Sequence, residues 1–234
     1  MIKAVLFDLD GTLLPMDEER FVRAYFGAIC KKMCPHGYHA EELISATWRG
    51  TGEMVKNNGR ESNEAVFWRA FTETFGERAA ADRPLFDEFY TKEFSALADI
   101  CGYDPAAKET VLSARKKGFR TVLATNPIFP AAATYARIGW AGLSPSDFEF
   151  VTTYETIGFC KPNPDYYREI FRRLELTPGQ CLMVGNNVGE DMIAGTLGAD
   201  VFLVTPCLIN SEGKDISPYP KGTLTDLKAY LEKL

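Results

Sequence analysis

Two aspartates placed one residue apart are the first candidates for chemistry in this sequence. Asp8 ends the apolar run that begins at residue 3, and Asp10 precedes Gly11. Carboxylates act as nucleophiles, as general acids and bases, and as ligands of Mg²⁺. Both can face one site only if the chain leaves the extended conformation, and Gly11 provides that freedom. Taken alone, however, a strand followed by an Asp-Gly turn explains the same residues equally well.

Three later segments also place polar groups directly after or near apolar runs. Thr125-Asn126 follows the run 119–124, Lys161 precedes Pro162, and 185–191 reads Gly-Asn-Asn-Val-Gly-Glu-Asp. In open parallel sheets, ligands bind beyond the carboxyl ends of the strands. We therefore expect Asp8, Asp10 and these later groups to converge at one edge of a sheet.

The pattern around these segments predicts the sheet that would position them. Short apolar runs alternate with helical segments from residue 105 onward, and the helix signals include Asp104-Pro105 and Asn163-Pro164. Alternating strands and helices favour a parallel sheet covered on both faces, so we predict an α/β fold with a Rossmann-like core. The predicted strands are 3–8, 119–124, 148–153, 181–184 and 200–204, and the predicted helices are 105–117, 130–138, 163–174, 190–197 and 224–234.

Residues 16–100 differ in kind, because apolar residues recur there at helical spacing with few β-branched runs. This spacing predicts four helices inserted after the first strand. The predicted organisation is therefore a core domain of residues 1–15 and 101–234, carrying a helical cap domain of residues 16–100.

In their order and spacing, the four polar segments resemble the four motifs of the haloacid dehalogenase superfamily of phosphatases. The most specific part is Asp8-Leu9-Asp10-Gly11-Thr12-Leu13, and the helical insert resembles the type-1 cap of subfamily I. The resemblance covers essentially the whole chain. It implies Mg²⁺-dependent hydrolysis of a small phosphomonoester through an aspartyl-phosphate, in a core that the cap covers.

The resemblance also implies a role for each motif residue. Asp8 resembles the nucleophile, Asp10 the general acid and base, and Lys161 the cation that relieves charge repulsion. Thr125 and Asn126 are expected to bind the transferring phosphoryl group. The expected Mg²⁺ ligands are Asp8, Asp10 through its backbone carbonyl, Asn186 and Asp191.

The last motif departs from the family pattern, which usually has Asp where this chain has Asn186. An amide oxygen can bind Mg²⁺ but brings no charge, so weaker metal binding is expected unless Asp191 or Glu190 compensates. Two alternatives to hydrolysis therefore stay open, and a third, dehalogenation, is disfavoured. A phosphosugar mutase would use the same groups, and a phospho-ligand-binding protein with weakened catalysis would explain Asn186, whereas a dehalogenase would not need Asp10 or a metal.

Within the helical insert, Trp48-Arg49-Gly50-Thr51-Gly52 interrupts the apolar pattern. It resembles a substrate-facing cap loop, so Trp48 and Arg49 are candidate substrate-binding residues, although a plain helix–helix turn explains it equally well. Another cluster has ligand types suitable for zinc, but its spacing matches no standard zinc pattern, and an incidental grouping is favoured. It consists of Cys30, Cys34, His36 and His39.

Composition limits the classes of partner. A net charge of −6 argues against a nucleic-acid-binding protein, which needs a basic face. No apolar run approaches the roughly 20 residues that span a bilayer, and the first apolar run is too short for a signal-peptide core. We therefore expect a cytoplasmic protein, monomeric or homodimeric, that acts on a small phosphorylated metabolite and not on nucleic acid or membrane.

Overall fold

The chain folds around one six-stranded sheet in which every strand pair is parallel. In the computed structural model, which describes residues 1–234, the two central strands are buried along their whole length. Strands covered on both faces are apolar throughout, as Ala-Val-Leu-Phe of the first strand is. The strands are β1 (Ala4–Phe7), β2 (Arg120–Leu123), β3 (Phe150–Val151), β4 (Cys181–Gly185), β5 (Asp200–Val204) and β6 (Lys221–Gly222).

Strand β1 lies in the interior of the sheet, whose order is β3-β2-β1-β4-β5-β6. The chain passes from β1 to β2 and β3 on one side, then returns to β4 on the other side of β1. Connections that diverge in this way leave a crevice at the carboxyl ends of the strands, where ligands bind. The residues that follow β1 therefore occupy the usual ligand position of such a sheet.

Ten α-helices surround the sheet, and six of them lie between β1 and β2. The first five are followed by a 3₁₀ segment at Glu93–Ile100, and the sixth comes directly before β2. We call residues 18–100 the helical segment. No helix is both long enough and apolar enough to cross a membrane. The helices are α1 (Glu18–Met33), α2 (Ala40–Val55), α3 (Asn63–Phe75), α4 (Glu77–Ala81), α5 (Arg83–Thr91), α6 (Pro105–Lys116), α7 (Ala131–Trp140), α8 (Pro164–Leu174), α9 (Ile193–Thr196) and α10 (Leu224–Leu231).

The predicted fold class is confirmed, and the local signals explain most boundaries. Asp104 caps α6 by accepting a hydrogen bond from the backbone N–H of Ala106, and Asn163 caps α8 in the same way through Asp165. Within the helical segment, the prediction of four helices was wrong, because Gly76 ends α3 and the chain turns through the short α4 before α5 begins. The two-residue strand β6 was not predicted, and α9 is shorter than expected.

The predicted break at residues 48–52 was also wrong. All five residues lie inside α2, which runs unbroken from Ala40 to Val55. The two glycines suggested a loop, but Gly50 faces α3 so closely that a Cβ atom there would lie 2.6 Å from Cδ2 of Phe67. Gly50 is therefore a helix–helix contact point, not a turn residue.

Candidate active site

Asp8 and Asp10 reach the same cavity because the chain turns sharply between them and Leu14. Gly11 has φ = 78°, in the left-handed region that favours glycine, and its N–H donates to the carbonyl of Leu14 at 2.8 Å. A Cβ atom on Gly11 would lie 2.2 Å from Nδ2 of Asn186. A glycine at position 11 thus permits both the turn and the close approach of the segment that follows β4.

A cavity of about 240 Å³ lies at the carboxyl ends of the central strands, between the sheet and the helical segment. Its lining combines polar groups from the sheet edge with mostly apolar groups from α1, α2 and the loop before α7. The polar residues are Asp8, Asp10, Glu18, Thr125, Asn126, Arg137, Asn186, Asn187, Glu190 and Asp191, and the apolar ones are Met16, Phe21, Val22, Trp48, Ile128 and Phe129.

Lys161 joins two of the carboxylates at the base of the site. Its ammonium nitrogen lies 2.9 Å from Oδ1 of Asp8 and 2.6 Å from Oδ1 of Asp191, and all three side chains are almost fully buried. Burial opposes a charged lysine, but the carboxylates of Asp191 and Asp8 outweigh it, so the pKa of Lys161 lies well above its usual value. Lys161 is therefore a permanent cation beside Asp8.

Burial raises the pKa of Asp191 to about 7, although Lys161 opposes the shift. Oδ2 of Asp191 also accepts the backbone N–H of Asn187 at 2.9 Å, so both carboxylate oxygens are held. This fixed carboxylate positions the lysine, and the lysine in turn faces Asp8.

Beneath the cavity, hydrogen bonds join the segment that follows β2 to the loop before α8 and to the first turn of α8. The carbonyl of Thr125 accepts hydrogen bonds from the hydroxyls of Tyr166 (2.8 Å) and Thr152 (2.7 Å). The amide oxygen of Asn126 accepts the backbone N–H of Lys161 at 3.2 Å. Thr125 lines the cavity, whereas the side chain of Asn126 also holds the lysine loop in place.

Asn186 is buried, and both the nitrogen and the oxygen of its side-chain amide have hydrogen-bond partners. Nδ2 donates to the carbonyl of Cys207 at 2.6 Å, and Oδ1 lies 3.0 Å from the hydroxyl of Thr12. The same hydroxyl is 3.0 Å from Oδ2 of Asp8, so its single proton serves one of two acceptors. Thr12 thereby connects the segment after β1 with the segment after β4.

Asp10 is paired with a buried cation that sequence reasoning missed. The guanidinium of Arg137, on α7, donates to Oδ2 of Asp10 and lies 4.6 Å above the ring of Phe129. Oδ1 of Asp10 is buried and has no hydrogen-bond partner. Burial raises the pKa of Asp10, and Arg137 opposes that shift. One available signal was that Arg137 shares the buried face of α7 with Ala133, four residues earlier.

The cavity carries an excess of negative charge. Burial raises the pKa of Glu190 to about 7 and also raises the pKa of Glu18 at the start of α1. Five carboxyl groups line the cavity, against Arg137 on the lining and Lys161 at its base, and both cations are already paired. The carboxyl residues are Asp8, Asp10, Glu18, Glu190 and Asp191.

This donor set fits a hard divalent cation in its chemistry. All the candidate ligands are oxygens, the charge excess favours a cation, and the buried Oδ1 of Asp10 lacks a partner. No three His, Cys, Asp or Glu side chains are grouped as a metal centre, and Lys161 lies between Asp8 and Asp191. Binding would therefore depend on the Asp8 carboxylate with the carbonyl of Asp10 and the amide oxygen of Asn186.

The candidate residues on the helical segment separate into two groups. Trp48 lines the cavity and is 51% exposed. Arg49 points elsewhere, since it pairs with Glu73 of α3 and is absent from the cavity lining. Of the possible zinc ligands, Cys30 and Cys34 are free thiols at the other end of α1, and neither they nor His36 and His39 belong to a metal-binding group.

The parallel sheet carries its acidic groups at the carboxyl ends of the central strands, where open α/β sheets bind their ligands. Residues 2–197 match the haloacid dehalogenase-like hydrolase family, and the chain belongs to that family. The chain is 27% identical to a glyceraldehyde 3-phosphate phosphatase of Methanothermobacter thermautotrophicus, over 91% of this chain and 87% of that protein. It is also 27% identical to a phosphoglycolate phosphatase of Nitrosospira multiformis, over 92% and 87% respectively.

Solved structures of the family share the fold. A phosphatase from Thermococcus onnurineus superposes with a TM-score of 0.58 at 22% identity, covering 98% of each chain. A 2-haloacid dehalogenase from Pseudomonas syringae superposes with a TM-score of 0.64 at 21% identity, covering 100% of this chain and 99% of that one. Because phosphatases and dehalogenases both match, the fold alone does not choose between these two reactions.

Proposed function

We propose that this enzyme hydrolyses a small phosphomonoester with the help of Mg²⁺, through a transient acyl phosphate on Asp8. The observation that carries the proposal is the position of Asp8. It is buried beside the permanent cation Lys161, at the end of the central strand, and a second acid, Asp10, lies two residues away. The sequence similarity to two phosphatases supports the same reaction.

In the first half of the reaction, a carboxylate oxygen of Asp8 attacks phosphorus and the bond from phosphorus to the alcohol oxygen breaks. Lys161 offsets repulsion between Asp8 and the anionic phosphoryl group, and the hydroxyl of Thr125 is a donor for a phosphoryl oxygen. The departing alkoxide takes a proton from Asp10. Because Oδ2 of Asp10 is held by Arg137, Oδ1 is the oxygen free to carry that proton.

In the second half, water attacks the phosphorus of the phospho-aspartate, and Asp10, now ionised, accepts the proton of that water. The bond between phosphorus and Asp8 breaks, which releases inorganic phosphate and restores the carboxylate. Arg137 stabilises the ionised form of Asp10 that this step requires. A dehalogenation would not need Asp10, the second acid, which is paired with Arg137.

We assign Asp8, the backbone carbonyl of Asp10 and Asn186 as the residues that would hold Mg²⁺, with Asp191 at the same edge. When bound, the ion supplies positive charge that stabilises the phosphoryl oxygens. We also propose that residues 16–100 act as the cap of a core formed by 1–15 and 101–234. Trp48 and Val22 of the helical segment complete the cavity wall, so the cap would exclude water from the phosphorylated intermediate.

The decisive experiment is phosphate release from a panel of phosphomonoesters by the wild-type protein and the Asp8→Asn variant. We expect Mg²⁺-dependent hydrolysis that EDTA abolishes, and a loss of about 10⁴-fold or more in kcat for Asp8→Asn, because an amide is a poor nucleophile. Acid-quenched wild-type protein should retain covalent phosphate that hydroxylamine removes.

Asp87→Asn is the matched control, since Asp87 is an exposed residue of α5 outside the cavity, and it should retain full activity. Undiminished hydrolysis by Asp8→Asn would overturn the proposal. Interconversion of phosphosugar isomers that outpaces phosphate release would indicate a mutase, and ligand binding without turnover of any ester would indicate a binding protein.

A further inference from the structure

A second, apolar cavity of about 80 Å³ adjoins the catalytic cavity. Val22, Trp48, Ile128 and Phe129 line both, so the two spaces meet along a shared wall. Twelve of its fifteen lining residues are hydrophobic, and none carries a charge. Tyr25, Phe26, Thr51, Trp68, Tyr90 and Tyr154 are among the other residues of its wall.

Polar groups around this apolar cavity are already satisfied within the protein. The hydroxyls of Tyr25 and Tyr90 lie 2.7 Å apart, and the hydroxyl of Thr51 donates to the carbonyl of Thr47 at 3.0 Å. Nε1 of Trp68 donates to the hydroxyl of Tyr154 at 3.4 Å. A ligand rich in hydroxyls, such as a sugar, would lose its hydrogen bonds to water here and find few replacements.

The charges around the two cavities also disfavour a substrate that carries a second anionic group. Apart from Arg137 and Lys161, which are paired with carboxylates, no cation lines either cavity or contacts Asp8. Arg20 and Arg23 of α1 are exposed and line neither cavity, and three arginines of the other helices are paired with carboxylates outside both linings. Arg49 pairs with Glu73, Arg69 with Glu61 and Arg83 with Glu64. A substrate with a carboxylate or second phosphate beyond the phosphoryl group would meet acidic side chains, with no unpaired cation on the lining of either cavity.

We propose that the apolar cavity holds the alcohol portion of the substrate, and that this portion is uncharged and aromatic or alkyl. This inference rests on the proposed phosphatase function and assigns its substrate class. With the phosphoryl group beside Asp8, the ester oxygen points past the shared wall and the organic group lies among the aromatic side chains. A water position needs at least about 10–15 Å³, so the cavity has room for a group the size of several waters, such as one ring.

The test compares esters of primary alcohols, so that the leaving groups have similar basicity. We expect kcat/KM for benzyl phosphate to exceed that for phosphoglycolate and for glucose 6-phosphate by at least about tenfold. In a series from ethyl to butyl phosphate, kcat/KM should rise about three- to fourfold per added methylene, because each methylene leaves water.

A variant on α2 locates the effect. Thr51→Trp places a ring in the apolar cavity, and the ratio of kcat/KM for benzyl over ethyl phosphate should fall at least about tenfold. The neighbouring Gly52→Ala is the matched control, because a Cβ atom there meets nothing within 4 Å, and its ratio should match wild type. Phe26→Ala, which enlarges the cavity, should instead favour naphthylmethyl over benzyl phosphate.

Binding without turnover separates this inference from the proposed function. Benzylphosphonate should bind the Asp8→Asn protein and quench the fluorescence of Trp48, and Thr51→Trp in that background should weaken binding at least about tenfold. Preference for phosphoglycolate or glucose 6-phosphate, with hydrolysis intact, overturns the apolar assignment alone. Absence of hydrolysis for every ester overturns the proposed function, and the benzylphosphonate result then still decides what the apolar cavity binds.

Discussion

The buried amide of Asn186 is matched to its surroundings in a way that an aspartate would not be. Its Nδ2 group donates to the carbonyl of Cys207 at 2.6 Å, and a carboxylate in the same place would direct an oxygen at that carbonyl. The cavity already holds five carboxyl groups. A neutral side chain therefore lowers the repulsion within the metal-free protein, at the cost of one charge for binding a cation.

Replacing Asn186 with Asp should consequently have opposite effects on stability and on metal affinity. We expect Asn186→Asp to lower the free energy of unfolding of the metal-free protein by about 1–3 kcal/mol, through the lost hydrogen bond to Cys207. The added charge should lower the Mg²⁺ concentration for half-maximal activity about tenfold, which corresponds to about 1.4 kcal/mol. Urea unfolding in EDTA and Mg²⁺ titration of phosphate release measure the two effects.

Asn210→Asp is the control, because it adds the same charge in a loop outside the cavity, where Asn210 contacts Lys214. It should leave the Mg²⁺ dependence unchanged. An Asn186→Asp protein that binds Mg²⁺ no more tightly than wild type would show that residue 186 does not face the ion.

The sequence predicted the motif side chains around Asp8 better than it predicted their neighbours. Thr125, Lys161 and Asp191 follow strands, and parallel strands bring their carboxyl ends together whatever the details of packing. Arg137 was missed because it lies inside a helix, and its contact with Asp10 depends on how α7 packs against the segment after β1. Arg49 lies outside the cavity, unlike Trp48, because successive residues of a helix point about 100° apart.

Helix α2 contains two glycines with different structural roles, and packing against α3 accounts for the difference. Gly50 is buried against Phe67 of α3, whereas Gly52, two residues later in the same helix, has no atom within 4 Å of the position of a Cβ. Local propensity treats the two positions alike, since glycine disfavours helix at both. The predicted loop was wrong because the sequence pattern of α2 alone does not indicate its close approach to α3.

The two positions should respond in opposite directions to the same substitution. Gly50→Ala forces a methyl group against the ring of Phe67, so we expect the free energy of unfolding to fall by about 1–3 kcal/mol. Gly52→Ala adds no contact and removes chain freedom from the unfolded state, so stability should rise by about 0.5–1 kcal/mol. Urea unfolding of both variants measures the difference, and equal effects at the two positions would refute the proposed helix contact.

The helical segment and the sheet share one apolar core. A continuous cluster of 36 buried residues contains Phe21 and Phe71 of the helical segment together with Phe7 and Phe202 of the sheet strands. Asn63, at the start of α3, adds polar contacts between the two parts. It is fully buried, and its Nδ2 donates to the carbonyl of Pro127 at 3.1 Å.

Backbone hydrogen bonds reinforce this connection between the parts. The N–H of Asn63 donates to the carbonyl of Ile157 at 3.0 Å, and the N–H of Glu64 donates to the carbonyl of Tyr154 at 2.8 Å. The segment 154–157 lies just before the loop that carries Lys161. Besides the shared apolar core and its two ends, the helical segment thus has a third attachment to the sheet domain, made by backbone hydrogen bonds at the start of α3. Sequence periodicity predicted its helices but gave no indication of this third attachment.

A chain built in this way should unfold in a single transition, because neither part can lose its core without exposing that of the other. Tryptophan fluorescence, which reports Trp48 and Trp68 of the helical segment as well as Trp140 of α7, should follow the same urea curve as far-ultraviolet circular dichroism. Asn63→Ala should keep one transition but lower the free energy of unfolding by about 2–3 kcal/mol, because buried polar groups lose their partner. Asn58→Ala, an exposed residue in the preceding loop, should change it by less than about 0.5 kcal/mol. Two separate transitions in the wild-type protein would mean that the helical segment is an independent unit, held to the sheet by its ends alone.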